Sequence, residues 1–122
     1  MEVKLAKTAG FCFGVKRAVD TVYKEAEKNS ESIYTFGPII HNEQVVADLE
    51  KNGVFVVNTI EELKALKPGT TVIVRSHGVG KSIYDIMEAC GLNIVDATCP
   101  FVKKIHRIAE RESKAGKRII II

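Results

Sequence analysis

Cysteine and histidine are the residues of this 122-residue chain best suited to bind metals or anions, and it has three of each. Two cysteines and two histidines recur in one kind of local setting, where a strand-like run ends and a helix-like run begins. Cys12 lies in Ala9-Gly10-Phe11-Cys12-Phe13-Gly14 and His41 in Gly37-Pro38-Ile39-Ile40-His41-Asn42. His77 lies in Ser76-His77-Gly78 and Cys99 in Ala97-Thr98-Cys99-Pro100. In a parallel α/β sheet such junctions share one edge, and ligands bind outside the carboxyl ends of the strands. The four side chains therefore converge on one predicted site. Cys90 and His106 fall within helical patterns and serve as an internal contrast.

Each candidate has a plainer alternative. Gly10 and Gly14 flank Cys12 and suit a tight loop that lets backbone approach a bound group, yet a cysteine between two phenylalanines is also an ordinary core residue. Cys99 is the stronger case. Thr98-Cys99-Pro100 puts it at the cap or first turn of a helix, with proline at a favoured starting position. Helix-end amides favour a thiolate there, and the thiolate is the metal-binding form. Cys90 extends the apolar stripe of Ile83, Ile86 and Met87, and Gly91 follows as a C-terminal cap, which reads as core packing at the opposite sheet edge. His41 and His77 suit metal ligation when neutral and phosphate binding when charged. A loop histidine satisfied by backbone or water is the simpler reading of either one alone. His106, near Val102 and Ala109 in a helical run, reads as a boundary residue.

Two cysteines with two histidines can form a tetrahedral zinc site, although the zinc-finger spacing is absent. An iron–sulfur cluster needs more cysteines than Cys12 and Cys99 supply. The residues by themselves thus describe a half-built soft-metal site beside phosphate-binding histidines. Charge adds a second clue, because helix starts normally favour acidic side chains. The helices opening at Asn42-Glu43 and Thr59-Glu62 obey, whereas those near Lys16-Arg17, Lys81 and Lys103-Lys104 carry cations. A site for thiolates and an anionic ligand accounts for that excess; lysines reaching into solvent are the alternative. The net charge of +3 is mild, and no basic stripe with interleaved aromatics points to nucleic acid. A small anion fits better than a polyanion.

Those side chains need a frame, and the apolar period switches repeatedly between two and 3.6 along the chain. Strands are expected at Val3–Lys7, Ser32–Phe36, Val54–Val57, Thr71–Arg75, Asn93–Asp96 and Arg118–Ile122. Val15, Ala18, Val19, Val22, Tyr23 and Ala26 form the stripe of a first helix. Others are expected from about Glu43 to Lys51, from the capping box Thr59-Ile60-Glu61-Glu62, from about Lys81 to Ala89, and from Pro100 to Ala115. Alternation of this kind implies an α/β fold, a mainly parallel sheet with helices on both faces. Length fits one domain. No run is long enough to span a membrane and no signal-peptide layout opens the chain. The expected compartment is the cytoplasm, where cysteines serve as thiols or ligands rather than disulfides. Arg118-Ile119-Ile120-Ile121-Ile122 reads as a bare apolar strand, the end expected of a fragment or of the first domain in something longer.

Four ordered motifs carry a resemblance that spans the chain. Gly10-Phe11-Cys12-Phe13-Gly14-Val15 with Arg17-Ala18, Gly37-Pro38-Ile39-Ile40-His41-Asn42, Ser76-His77-Gly78-Val79 and Asp96-Ala97-Thr98-Cys99-Pro100-Phe101-Val102 resemble the reductases of 4-hydroxy-3-methylbut-2-enyl diphosphate, the IspH/LytB family. The resemblance implies two-electron reduction of an allylic alcohol diphosphate with loss of water. That reaction gives isopentenyl and dimethylallyl diphosphates, the last step of the non-mevalonate isoprenoid pathway. It implies three similar α/β domains around one 4Fe–4S cluster held by three cysteines. An open iron then binds the substrate hydroxyl as Lewis acid and electron conduit. Cys12 and Cys99 match two of the cluster ligands, and His41 and His77 match two of the histidines that hold the diphosphate. Ferredoxin or flavodoxin supplies the electrons in that family. The third cysteine, a third histidine, the proton-delivering glutamate and the Thr, Ser and Asn contacts belong beyond Ile122. Residues 1–122 are then the N-terminal domain, with the next domain starting from about residue 117. The chain alone is expected not to turn over and to hold a cluster weakly at best. A flavodoxin-like module binding zinc or a small phosphorylated ligand is the first alternative, and a purely structural domain with inert thiols is the second.

Overall fold

Thr71-Val72-Ile73-Val74 is buried at every position, the signature of a strand covered on both faces. It is the third of four strands in the computed structural model, which describes residues 1–28 and 31–121. The elements are α1 (Phe13–Lys28), β1 (Ile33–Phe36), α2 (Glu43–Lys51), β2 (Val54–Val57), α3 (Ile60–Lys64), β3 (Thr71–Val74), α4 (Lys81–Ala89), β4 (Asn93–Asp96) and α5 (Pro100–Lys114). The strands lie in the order β2-β1-β3-β4. Every pairing is parallel, with Ile33 opposite Val54, Tyr34 opposite Val72 and Thr71 opposite Asn93.

Successive strand side chains point to opposite faces, and the two faces carry separate cores. Ile33, Val54 and Ile73 pack with Ala18, Val19 and Val22 of α1 and Leu49 of α2. Val57, Val72 and Val74 pack with Leu63 of α3 and Met87 of α4. Helices thus cover both faces of the parallel sheet, as the alternating pattern requires. The short α3 is fixed at its start by a full capping box between Thr59 and Glu62. Cys90 ends α4 half-buried against the second core, in keeping with its place on an apolar stripe.

Strand order decides where a ligand can sit. From β1 the chain moves outward to β2, then crosses back so that β3 and β4 extend the sheet the other way. Adjacent β1 and β3 therefore send their following loops in opposite directions, and the crevice between them is the binding position of such sheets.

Two expected strands are absent. Val3–Lys7 carries no strand and is exposed throughout, with Val3 at 76% and Leu5 at 87% exposure. Residues 118–121 are likewise irregular and exposed; Ile122 lies outside the described residues. Both segments have strand-like sequences, but a strand forms only where a neighbour accepts its backbone hydrogen bonds. Among the described residues neither β2 nor β4 provides that edge to them. The last helix is only lightly packed: α5 has no buried residue, and Phe101, Ile105 and Ile108 stand exposed along it.

Candidate functional site

The loop after β1 is anchored from below. Ile39 and Ile40 are buried in the first core, and Gly37 N–H donates to Val57 O at 2.8 Å. His41 follows as an exposed residue. Asn42 then caps α2, its side chain accepting from Val45 N–H at 3.1 Å. The β3 loop turns more tightly, with Gly78 N–H donating to Arg75 O at 2.9 Å, and leaves His77 exposed at the turn. Ser76 Oγ–H donates to Ile39 O at 3.4 Å, which links the two loops. Across the β1/β3 crevice the His41 and His77 rings stack, with centroids 5.9 Å apart and planes 29° apart. Together with Phe11, Val15, Ile40, Asn42 and Ser76 they line a hollow of about 250 Å³.

Cys99 is bound into the same edge by its backbone. Its N–H donates to Ser76 O at 2.8 Å, next to His77 in the chain. Its own carbonyl accepts from Lys103 N–H at 2.9 Å, so Cys99 is the N-cap of α5 with Pro100 in the first turn. One turn on, Lys103 pairs with Asp96 at 2.6 Å, and Asp96 also accepts from Thr98 N–H at 2.9 Å. Burial opposes the charge on Asp96, but the hydrogen bonds from Lys103 and Thr98 outweigh it and hold its carboxyl below the usual range.

The start of α1 approaches from the other side. Cys12 accepts from Lys16 N–H at 2.9 Å and so opens the helix, with its side chain exposed. Gly14 packs directly against Cys99: a Cβ on Gly14 would stand 2.5 Å from Cys99 Sγ. Arg17 Nη1–H donates to Thr98 O at 3.3 Å, and Phe13 meets Phe101 edge-to-face with centroids 6.4 Å apart. Glycine at 14 is thus a close-packing requirement, which lets the helix end that follows Cys12 reach the Cys99 sulfur.

The four residues named from the sequence share one edge of the sheet, although the strand expected before Cys12 is missing. The histidines meet directly, Cys99 joins the His77 loop through Ser76, and Cys12 lies two residues from the Gly14–Cys99 contact. Two thiols at neighbouring helix starts have the donor chemistry of a soft-metal centre. They do not close one: among the described residues no group of three or more candidate ligands can hold a metal ion. Three of the unusual cations at helix starts have a local partner. Lys81 pairs with Asp85 at 2.5 Å, Lys103 pairs with Asp96, and Arg17 serves the Thr98 carbonyl.

Sequence reading missed the residues that tie the junctions together. Ser76 was legible only as a neighbour of His77, and its two links depend on strand order. Arg75, which lies against Gly37, and His106, whose ring reaches Gly78, depend on tertiary placement in the same way.

Comparison with known proteins bears on the whole edge. The profile of the family described as LytB protein matches residues 3–122. The 4-hydroxy-3-methylbut-2-enyl diphosphate reductase of Caldanaerobacter subterraneus subsp. tengcongensis is 50% identical over 123 residues, covering 100% of this chain and 42% of that protein. The protein of the same name from Clostridioides difficile is 47% identical and is covered over 43% of its length. Among solved structures, (E)-4-hydroxy-3-methyl-but-2-enyl diphosphate reductase, described as the terminal enzyme of the non-mevalonate pathway, superposes with a TM-score of 0.78. It is 41% identical, with 91% of this chain and 38% of that one covered. The corresponding reductase from Plasmodium falciparum gives a TM-score of 0.82 at 32% identity, with 89% of this chain and 33% of that one covered. The chain thus spans about 42% of the length of the curated relative it matches at 50% identity. A profile match over nearly every residue, with the same fold in solved relatives, makes this chain a member of the LytB protein family.

Proposed function

We propose that this chain is the N-terminal portion of an iron–sulfur reductase that converts 4-hydroxy-3-methylbut-2-enyl diphosphate to isopentenyl and dimethylallyl diphosphates. The observation that carries the reading is the stacked His41–His77 pair at the β1/β3 crevice, held by Ser76 beside Cys99. Imidazole N–H groups on two adjoining loops suit the oxygens of a diphosphate, and charge-assisted hydrogen bonds of that kind are the strong ones. Cys12 and Cys99 are two ligands of a 4Fe–4S cluster in this reading, and the fit lies in two sulfurs set at helix starts with Gly14 leaving room for one of them. When bound, such a cluster supplies electrons and a Lewis-acidic iron.

The chain's own residues bind and orient. His41 and His77 fix the headgroup, which sets the distance of the allylic carbon from the sulfurs. The Lys103–Asp96 pair keeps the Cys99 cap in register with the His77 loop. Exclusion of water, the third sulfur ligand and the proton-donating glutamate come, in this reading, from chain beyond residue 122. Residues from about 117 begin the next α/β unit, which accounts for the exposed apolar residues of α5 and of 119–121. A ferredoxin or flavodoxin in the cytoplasm supplies the electrons. No helix among the described residues is long and apolar enough to cross a membrane.

The test is metal analysis of the full-length protein purified without oxygen. Iron and acid-labile sulfide with visible absorbance are expected, and Cys12→Ser and Cys99→Ser each lower the iron content sharply. A colourless, zinc-loaded protein would replace the reductase with a zinc-binding module.

A further inference from the structure

His106 lies in the middle of α5, seven residues after Cys99, and neither its spacing nor its exposure marks it as functional. Its surroundings do. Gly78, the residue after His77, is buried with φ +74°. A Cβ there would stand 3.1 Å from His106 Cε1, 3.1 Å from Thr98 Cγ2 and 3.2 Å from Thr98 Oγ1. The space that a side chain at 78 would fill is taken by Thr98 on one flank and the His106 ring on the other. The His77 turn is therefore gripped twice from the β4–α5 side. The Cys99 N–H holds Ser76 O before it, and His106 covers Gly78 after it. The first grip is backbone and common to any residue at 99. The second depends on two side chains, Thr98 from the β4–α5 loop and His106 from α5, of which His106 is the one free of the backbone links at the junction.

The reach of α5 makes that side chain matter. No residue of α5 is buried, and its first turns are tethered by the Lys103–Asp96 pair, the Phe13–Phe101 contact and His106 on Gly78. Of these, His106 is the one that touches the loop carrying a site histidine. The turn is held before His77 by the two links of Ser76 and across it by Gly78 N–H on Arg75 O; after His77, what packs over the positive-φ glycine is Thr98 and the His106 ring.

We propose that His106 is a positioning residue: its ring, packed on Gly78, fixes the turn that presents His77 to the diphosphate. The assignment rests on the reading of His77 as a diphosphate ligand and deepens it. His106 acts through His77 and touches neither headgroup nor sulfur. Ring shape carries the effect, so phenylalanine substitutes for it and alanine does not.

A double-mutant cycle on the full-length protein tests this, with inorganic diphosphate binding followed by calorimetry and KM and kcat followed in parallel. His106→Ala is expected to weaken binding and raise KM roughly 5- to 10-fold, the scale of coupling between neighbouring groups, with kcat nearly unchanged. His106→Phe, which keeps a flat aromatic ring at this exposed position, returns both to within about twofold of wild type. In a His77→Ala background, His106→Ala has no further effect on binding; a purely structural role would add its full loss there. Wild-type affinity in His106→Ala, or additive losses in the double variant, overturns the proposal while leaving His77 as a ligand. If His77→Ala itself binds diphosphate as well as wild type, the diphosphate reading falls and this assignment with it.

Discussion

Gly14 is the residue at which two effects of opposite sign can be told apart. Replacing a helix glycine by alanine gains about 0.5–1 kcal/mol from chain entropy. Here the added methyl would stand 2.5 Å from Cys99 Sγ and 2.9 Å from Cys99 Cβ, and overpacking of that kind costs about 1–3 kcal/mol. The clash wins, so Gly14→Ala is expected to lower the urea midpoint of the chain; a raised midpoint would show that α1 does not press on Cys99. The histidines belong to the same scale. Loss of one charge-assisted hydrogen bond costs about 1.5–3 kcal/mol, so His41→Ala and His77→Ala each raise KM roughly 10- to 100-fold in the full-length protein. That Cys12, Cys99, His41 and His77 lie at one edge of the sheet was legible because their residue types are rare and their local settings alike. Gly14 was read as part of a tight loop that lets backbone approach a bound group; the close approach it permits is to the Cys99 side chain. Ser76 was legible only as a neighbour of His77 and His106 only as a boundary residue, because what they touch is set by the order of the strands.

Elements were legible where a periodic pattern also had a partner. β2 and β4 fall on their expected bounds, and β1 and β3 each lose one terminal residue. Val3–Lys7 and Arg118–Ile122 carry equally good patterns and, where described, form no strand. Pattern states which face a strand would bury, and only a neighbouring edge turns it into a strand. The same distinction sorts the helices by stability. α1 buries Gly14, Ala18, Val19 and Val22, whereas α5 buries nothing. Local opening follows buried contact, so hydrogen exchange in residues 1–122 expressed alone is expected to release α5 amides well before those of β3; equal protection would mean that α5 is packed. The β4–α5 junction also carries a pH dependence. Asp96 is held below the usual carboxylate range in the folded chain. Its stabilising contribution is therefore complete above the unfolded-state value of about 3.9 and is lost as pH falls through the lower folded value. The difference in Tm between wild type and Asp96→Asn is expected to hold near neutrality and to shrink in that acid range. A difference independent of pH would remove the Lys103–Asp96 pair from the account.

At the scale of the whole molecule, helices pack on both faces of the sheet around β1 and β3, β4 is only partly covered, and the edge that carries the four candidate residues is open. Phe11, Phe13 and Phe101 stand half or more exposed around Cys12 and Cys99, and His41 and His77 are open to solvent. In the proposed reading the chain supplies two sulfurs and two imidazoles to a site; among the described residues no group of three or more candidate ligands closes one. For that reason reductase activity is tested on the full-length protein. The measurement is conversion of 4-hydroxy-3-methylbut-2-enyl diphosphate under anaerobic conditions with an external reductant, comparing wild type with Cys99→Ser. Isopentenyl and dimethylallyl diphosphates are expected from wild type and a fall of about 100-fold or more in the variant, since even the outer partners of a metal site are worth 10- to 100-fold. No product from iron- and sulfide-loaded wild-type protein, or equal rates in the two, would contradict it.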